Sequence, residues 1–225
     1  MQDQTAALNW HDGQIPVSVQ FGDPYFSVDN GMAETAHVFV AGNGLPGRFT
    51  GDFQIAELGF GTGLNLLVTW DAWERAGCPG TLHFTSFEAF PMAPADQSRA
   101  LAAFPALADK VGQLLAVLAT GPGPCTLAEN LTLHLIQGDA RETLPLWEGR
   151  AEAWFLDGFS PAKNPEMWGE GLLAQVARHT APGGTAATYT AAGHVRRALA
   201  AAGFVVTRQP GYGRKRHMTT ARMPT

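Results

Sequence analysis

The 225-residue sequence contains only two cysteines, Cys78 and Cys125, which lie far apart in segments rich in glycine and proline. No second cysteine or histidine stands near either of them at the spacing of a zinc site. We therefore predict neither a disulfide framework nor a metal site. No uninterrupted apolar run approaches about 18 residues, and the first residues lack the pattern of a signal peptide. These absences lead us to expect a cytoplasmic protein.

Acidic residues are missing from the last quarter of the sequence. All 20 Asp and Glu residues stand at or before Glu170, whereas residues 171–225 carry eight Lys and Arg residues. The net charge of −5 therefore conceals an acidic part followed by a basic part. A basic surface binds phosphate groups if the fold collects its side chains on one face. A solvated helix face and edge strand is the alternative interpretation.

From residue 53 onward, short apolar runs alternate with helical patterns. Strands are predicted over 53–58, 82–88, 131–137, 152–157, 184–190, 204–209 and 218–223. Helices are predicted over 63–76, 94–119 with a break at Pro105, 165–179 and 191–202. This alternation predicts an α/β fold whose mostly parallel sheet ends in an antiparallel hairpin.

The first fifty residues do not follow this alternation. They contain two strand-like pieces separated by turn residues, and then a segment of no clear type. We divide the chain into an N-terminal extension, residues 1–50, and one larger domain, residues 51–225. Residues 119–125, "ATGPGPC", are predicted to form a loop within that domain, because strands of one sheet stand on both sides.

A glycine-rich turn follows the first strand of the alternating region. In "IAELGFGTGLNLL", Gly59, Phe60, Gly61 and Gly63 lie between a predicted strand and a predicted helix. Glycines permit a tight turn and a close approach of the backbone to a ligand at a helix N-terminus. The spacing differs from the dinucleotide fingerprint. With Glu57, it resembles the first motif of S-adenosylmethionine-dependent methyltransferases, which implies a Rossmann-like fold and that cofactor; a simple turn is the alternative.

Acidic residues also follow the next two strands. Glu88 ends the second strand, at the distance from the glycine turn at which a carboxylate accepts hydrogen bonds from two ribose hydroxyls. Asp139 follows the third strand, where the methyltransferase class commonly contacts the adenine amino group. Each acid alone is more often a surface residue or a helix cap. Together they indicate a cofactor site, because ligands of open α/β sheets bind at the carboxyl ends of the strands.

The fourth strand leads into Asp157 and the rigid polar loop of "EAWFLDGFSPAKNPEMW". Asp157 is predicted to face the same crevice, where a carboxylate can hold an amine nucleophile and accept its proton. Pro161 and Pro165 restrict the loop, and Lys163 and Asn164 offer polar contacts to a substrate. The alternative is that Asp157 caps the turn while Pro165 begins a helix.

Several longer segments resemble one family, the methyltransferase domain of the bifunctional MnmC-type enzymes of tRNA 5-methylaminomethyl-2-thiouridine biosynthesis. The matching segments are "DPYFSVDNGMAET", "ELGFGTGLNLL", "FTSFEAFP", "AWFLDGFSPAKNPEMW", "APGGTAATYTAAGHVRRALAAAGF" and "GYGRKRHM". The resemblance implies methyl transfer from S-adenosylmethionine to the amine of 5-aminomethyl(-2-thio)uridine at the wobble position. It also implies that Asp157 orients or deprotonates this amine.

The resemblance implies roles for two further groups of residues. Tyr25, Asn30 and Glu34 lie in a segment similar to one that folds over the family's site, so the extension is interpreted as a lid. The basic run of Arg214, Lys215 and Arg216, together with Lys163, is implied to contact the anticodon arm of tRNA.

The resemblance implies that the flavin-dependent oxidoreductase domain of the bifunctional enzymes would begin where this sequence ends. A separate flavin-dependent oxidoreductase, or another enzyme, is then expected to supply the aminomethyl nucleoside; alternatively, the sequence is an excised piece. Two other functions remain open. One is aminopropyl transfer, or methylation of another small amine, on the same sheet. The other is an RNA-binding module with a decayed cofactor site.

Overall fold

The computed structural model describes residues 5–27, 30–121 and 123–225, and these form an α/β fold. The strands are β1 Leu8–His11, β2 Ile15–Ser18, β3 Phe53–Leu58, β4 Leu82–Glu88, β5 Gly123–Ala128, β6 Leu131–Gln137, β7 Ala151–Leu156, β8 Thr180–Thr188, β9 Val205–Pro210 and β10 His217–Arg222. The α-helices are α1 Gly31–Thr35, α2 Leu64–Arg75, α3 Pro94–Leu101, α4 Ala108–Leu118, α5 Ala140–Thr143, α6 Glu170–Arg178 and α7 Gly193–Ala201.

The central sheet has eight strands in the order β5-β6-β4-β3-β7-β8-β10-β9. Five neighbouring strands, β6, β4, β3, β7 and β8, pair in parallel. The remaining strands, β5, β10 and β9, pair antiparallel with their neighbours. The chain adds β4 and β6 on one side of β3, and then returns to place β7 on the other side. A parallel sheet forms its ligand crevice at such a reversal, so the carboxyl ends of β3 and β7 are where a site is expected.

Apolar side chains cover both faces of the sheet. Phe155 of β7 packs in the core cluster on the side of α2 and α4, whereas its neighbours Trp154 and Leu156 pack in the cluster on the side of α6 and α7. This alternation is the period of two that a strand imposes on its side chains. Asp157, two residues after Phe155, therefore lies on the face of the sheet that α2 covers.

The predicted order of strands and longer helices is confirmed from residue 53 onward, but strand β5 and the short helix α5 were not predicted. Residues 123–125 were predicted to be loop, yet Gly123 and Cys125 lie in β5, opposite Leu135 and Leu133 of β6. An edge strand tolerates the nearby prolines, because a residue without an N–H group can face away from the partner strand. Cys125 consequently packs against the core; Pro122 lies outside the described residues.

The N-terminal extension combines two kinds of structure. The first strand-like piece is confirmed as β2, which pairs antiparallel with β1. The second forms only an isolated bridge between Pro24 and Val17, and residues 28–29 lie outside the described part. The segment of no clear type is helical: α1 continues into a π-helix, Ala36–Val40, and a 3-10 helix, Ala41–Asn43. Its apolar side chains join the core beside α2.

Within the described residues, no single helix is long and apolar enough to cross a membrane. Only α3 together with the segment Pro105–Leu118 reaches the required length and composition, and the two are bent by 113° at their junction.

Candidate active site

A cavity of about 1360 Å³ opens at the carboxyl ends of β3, β4, β6 and β7. It is larger than most small-ligand pockets, which enclose roughly 300–1,000 Å³. The cavity brings together twelve residues that sequence reasoning singled out: Tyr25, Glu34, Gly59, Phe60, Gly61, Glu88, Asp139, Asp157, Lys163, Asn164, Arg214 and Lys215.

The other four candidate residues stand away from the cavity wall. Asn30 is exposed and caps α1, accepting a hydrogen bond from the Ala33 N–H group. Glu57 lies beneath the cavity with 0% of its surface exposed, and Gly63 is buried at the start of α2. Arg216 projects from the turn between β9 and β10 and is exposed. Glu57 therefore presents no exposed surface to the cavity.

The glycine turn adopts the conformation that its sequence predicts. Gly59, Gly61 and Gly63 have φ angles of +84°, +54° and +84°, which side-chain-bearing residues rarely adopt. A Cβ atom at Gly61 would also lie 3.2 Å from the ring of Tyr25. The turn therefore presents bare backbone to the cavity.

Glu88 closes the side of the cavity next to the glycine turn. Its carboxylate accepts hydrogen bonds from the Gly61 and Phe90 N–H groups, both at 2.8 Å. Burial raises the pKa of Glu88, and the hydrogen bonds from backbone N–H groups counteract part of this rise. A buried carboxylate thus stands at the end of the second parallel strand, as predicted.

Asp139 lies further out along the same wall. Its carboxylate accepts hydrogen bonds from the backbone and guanidinium N–H groups of Arg141, and these hydrogen bonds lower the pKa of Asp139. Arg141 also forms an ion pair with Glu166 at 2.8 Å, and so connects α5 to the loop after β7. Asp139 caps α5 and lines the cavity at once.

Asp157 stands at the inner end of the cavity, where β7 ends. Its Oδ1 accepts a hydrogen bond from the Gly158 N–H group at 2.8 Å, and its Oδ2 accepts one from Asn65 Nδ2 at 2.7 Å. Burial raises the pKa of Asp157 to about 6, although these two hydrogen bonds lower it. Asp157 is therefore largely ionised at neutral pH, while its pKa is close enough to neutrality for it to exchange a proton.

Asn65 connects the two carboxylates at the strand ends, and sequence reasoning missed it. The same Nδ2 group donates to Glu57 Oε1 at 2.8 Å, while Ser86 donates to Glu57 Oε2 at 2.7 Å. Thr35 donates to Asn65 Oδ1 at 2.9 Å, which fixes the orientation of the amide. Burial raises the pKa of Glu57 well above its usual value. The signal in the sequence was a polar residue within the apolar start of α2, in "GLNLL".

Two segments close the cavity from outside. Asp23 accepts hydrogen bonds from the Ser160 N–H group and from Lys163 Nζ, both at 2.9 Å. The rings of Phe21 and Phe159 stack with their centroids 4.6 Å apart. The segment after β2 is thereby joined to the loop after β7, and Lys163 is engaged within the protein.

The comparisons with known proteins agree with this geometry. A family described as S-adenosyl-L-methionine-dependent methyltransferase matches residues 110–224. The bifunctional protein MnmC of tRNA 5-methylaminomethyl-2-thiouridine biosynthesis from Chromobacterium violaceum is 49% identical over 229 residues, and its counterpart from Pseudomonas paraeruginosa is 50% identical over 225. These alignments cover 97% and 96% of the chain, which spans only 34% of the length of either relative.

The crystal structure of MNMC2 from Aquifex aeolicus superimposes with a TM-score of 0.77 at 26% identity, covering all of this chain and 73% of that one. The predicted fold class and the predicted cofactor are confirmed by these matches. The chain belongs to the S-adenosyl-L-methionine-dependent methyltransferase family.

Proposed function

We propose that the protein transfers a methyl group from S-adenosylmethionine to the primary amine of 5-aminomethyl(-2-thio)uridine at the wobble position of tRNA. The observation that carries this proposal is Asp157, a carboxyl group with a pKa of about 6 at the inner end of a cavity that the glycine turn, Glu88 and Asp139 also line. The names of the relatives that match nearly the whole chain supply the nucleoside. A tRNA substrate is consistent with a cytoplasmic location.

The cavity wall fits S-adenosylmethionine. Gly59 and Gly61 line it with bare backbone, the surface that permits close approach of a ligand. In this proposal, Glu88 accepts hydrogen bonds from the ribose hydroxyls and Asp139 contacts the adenine amino group. Phe60 lines the cavity with them, whereas Gly63 shapes the turn from its buried position. The bound cofactor supplies a methyl group on a positively charged sulfur.

Asp157 prepares the amine for attack. A protonated primary amine has no lone pair to donate, so it must lose a proton before it can act as a nucleophile. The Asp157 carboxylate accepts that proton, and the hydrogen bonds from Gly158 and Asn65 hold it in place. Glu57 acts through Asn65 in this proposal: its carboxylate accepts a hydrogen bond from the same amide group that donates to Asp157.

The basic C-terminal part supplies the RNA-binding surface. Arg214 and Arg216 lie in the turn between β9 and β10, where Arg214 lines the cavity and Arg216 lies outside it. Arg208 lies on the exposed edge strand β9. We infer that these cations contact phosphates of the anticodon arm. Asn164, in the loop after β7, contacts the nucleoside in this proposal. Lys163 is a weaker candidate, since it is paired with Asp23.

The segment after β2 acts as the lid of the site. Tyr25 packs against Phe159 with the ring centroids 5.1 Å apart, and both residues line the cavity. Opening this contact would admit the cofactor. A flavin-dependent oxidoreductase, or another enzyme, is proposed to supply the aminomethyl nucleoside.

The test is methyl transfer from labelled S-adenosylmethionine to tRNA from cells that accumulate the 5-aminomethyl nucleoside, followed by mass analysis of the digested nucleosides. We expect the methylaminomethyl nucleoside as product. The same tRNA with an unmodified wobble uridine is the matched control and should remain unlabelled. If the protein binds the cofactor but leaves both tRNAs unlabelled, the proposed substrate is wrong and small amines become the next acceptors to test.

A further inference from the structure

Lys215 lines the cavity near its mouth, and its ammonium group contacts other residues of the cavity wall. Lys215 Nζ forms an ion pair with Glu34 Oε1 at 2.7 Å and lies 4.1 Å from the centroid of the Tyr189 ring. All three residues line the cavity together with Asp157. The sequence interpretation placed Lys215 on an RNA-binding surface, where its charge would face phosphates, and the structure instead directs it toward the protein.

The surroundings of this ammonium group form a site for a primary amine. Glu34 supplies a negative charge, with 13% of its side chain exposed, and Tyr189 supplies an aromatic face, which attracts cations. The Tyr189 hydroxyl donates to the carbonyl of Gly158 at 2.8 Å, which fixes the ring next to Asp157. The charges of Lys215 and Glu34 both reach Asp157, although burial has the larger effect on its pKa.

We propose that Glu34 and the ring of Tyr189 bind the protonated amine of the substrate, and that Lys215 occupies this position until the substrate displaces it. The inference rests on the proposed function, since it assumes an aminomethyl substrate. The lysine side chain ends in a primary ammonium on a CH₂ group, and so does 5-aminomethyluridine in its protonated form. One cation therefore substitutes for the other with no change in the charge of the site.

The exchange is energetically inexpensive. The Lys215 side chain is 46% exposed, so water solvates its ammonium group when it leaves. The less exposed Glu34 keeps a cationic partner, because the substrate ammonium replaces that of Lys215. Lys215 is carried by the turn between β9 and β10, so the lysine can leave without disturbing the sheet. Only molecules from which Lys215 has left can bind the substrate amine, so the apparent affinity for the amine is the intrinsic affinity multiplied by the fraction of molecules in which the site is free.

The test compares binding of two tRNAs that differ only in the wobble nucleoside, 5-aminomethyl(-2-thio)uridine in one and its counterpart without the aminomethyl group in the other. Dissociation constants are measured with S-adenosylhomocysteine present, so no turnover occurs. The ratio of the two constants reports recognition of the amine alone. The variants are Lys215→Met and Glu34→Gln, and Arg216→Met is the matched control because it removes a charge from the same turn outside the cavity.

The proposal makes a different prediction for each variant. Lys215→Met should raise the preference for the aminomethyl tRNA by about two- to fivefold, because the competing cation is gone. Glu34→Gln should lower that preference by about tenfold, because a charge-assisted hydrogen bond is lost. Arg216→Met should weaken binding of both tRNAs equally and leave the preference unchanged.

The inference is overturned if Lys215→Met weakens both tRNAs as Arg216→Met does, since Lys215 would then be a phosphate contact. It is also overturned if Glu34→Gln leaves the preference intact. Should the wild-type protein show no preference and fail to methylate the aminomethyl tRNA, the proposed function fails with it. If the wild-type protein methylates the aminomethyl tRNA, but Lys215→Met leaves the ratio of the two dissociation constants unchanged, this inference is rejected and the proposed function stands.

Discussion

The inner end of the cavity and its mouth differ in the partners that their acidic groups have. At the inner end, Asn65 donates to the carboxylates of Glu57 and Asp157, and burial raises the pKa of both acids. At the mouth, acids pair directly with partly exposed cations, as in the pairs of Glu34 with Lys215 and of Asp139 with Arg141.

This difference separates the residues that we expect to carry out the reaction from those that we expect to bind the ligands. Buried polar groups interact strongly and are costly to leave unpaired, so the inner cluster has one arrangement. Exposed ion pairs contribute roughly 0–1 kcal/mol each, so they can exchange partners when a ligand arrives. We therefore expect substitutions at the inner end to change turnover and stability, and substitutions at the mouth to change binding.

The largest effect is expected for Asp157→Ala. The loss of the group that accepts the amine proton should lower kcat by about 10²–10⁴-fold, the usual contribution of a general base. The dissociation constant for S-adenosylhomocysteine should remain nearly unchanged. Asp139→Ala, at the mouth, is the comparison variant, and it should weaken cofactor binding with little effect on kcat. Equal losses of turnover and cofactor affinity in Asp157→Ala would point to a structural role.

Asn65→Ala should affect both stability and the pH profile. Two buried carboxylates lose a hydrogen-bond donor, which should cost about 1–3 kcal/mol of unfolding free energy in urea titrations. Because a donor to a carboxylate lowers its pKa, the pKa of Asp157 should rise further, and the acid limb of kcat should move to higher pH. Thr35→Val, which removes the hydroxyl that orients the amide, should shift both quantities less, in the same direction. An unshifted acid limb in Asn65→Ala would contradict this account.

Glu57→Gln should be better tolerated than Glu57→Ala. Glutamine can accept from Asn65 and donate to Ser86, whereas alanine leaves both without a partner. The raised pKa of Glu57 means that the folded wild-type protein holds a proton that the unfolded chain releases as pH rises above about 4.5. Its stability relative to Glu57→Gln should therefore fall with increasing pH in that range. Urea titrations at several pH values would show this, and a constant difference would contradict it.

The smallest effect is expected at the outer segments, for Asp23→Asn. Burial alone would raise the pKa of Asp23, but the Ser160 N–H group and Lys163 hold it below its usual value. Its contribution to stability is thus present above pH 3.8 and is lost as pH falls through the lowered pKa. We expect Asp23→Asn to lower unfolding free energy by about 1 kcal/mol or less at neutral pH and to speed cofactor release. Slower release would contradict the assignment of this segment as the lid.

The sequence predicts the position of acids that follow parallel strands. It does not predict hydrogen bonds and ion pairs between residues that are far apart in the chain. Glu88 and Asp157 were placed correctly at the cavity, since parallel strands end at one edge of a sheet. Asn65 was missed because one of its partners, Asp157, stands 92 residues away. The pairing of Lys215 with Glu34 was not predicted either, because a count of charges does not reveal a partner 181 residues away.

The fold shows the same limit. The periodic strands and helices after residue 53 could be predicted from hydrophobic alternation alone. The segment Ala36–Val40 could not, because its short apolar run fits a strand or a helix equally well and its packing beside α2 decides. Strand β5 was hidden by "GPGPC", where backbone pairing to β6 outweighs local propensity.

The most direct test of the central claim is the pH dependence of kcat for methyl transfer to aminomethyl tRNA, with tRNA and cofactor both saturating. If Asp157 accepts the amine proton, kcat should fall as pH drops through about 6, the pKa of this carboxyl group. The residual activity of Asp157→Ala should lack that limb. Limits of about pH 5 and about pH 7 bracket this pKa. A wild-type kcat that stays constant between them would show that Asp157 is not the proton acceptor.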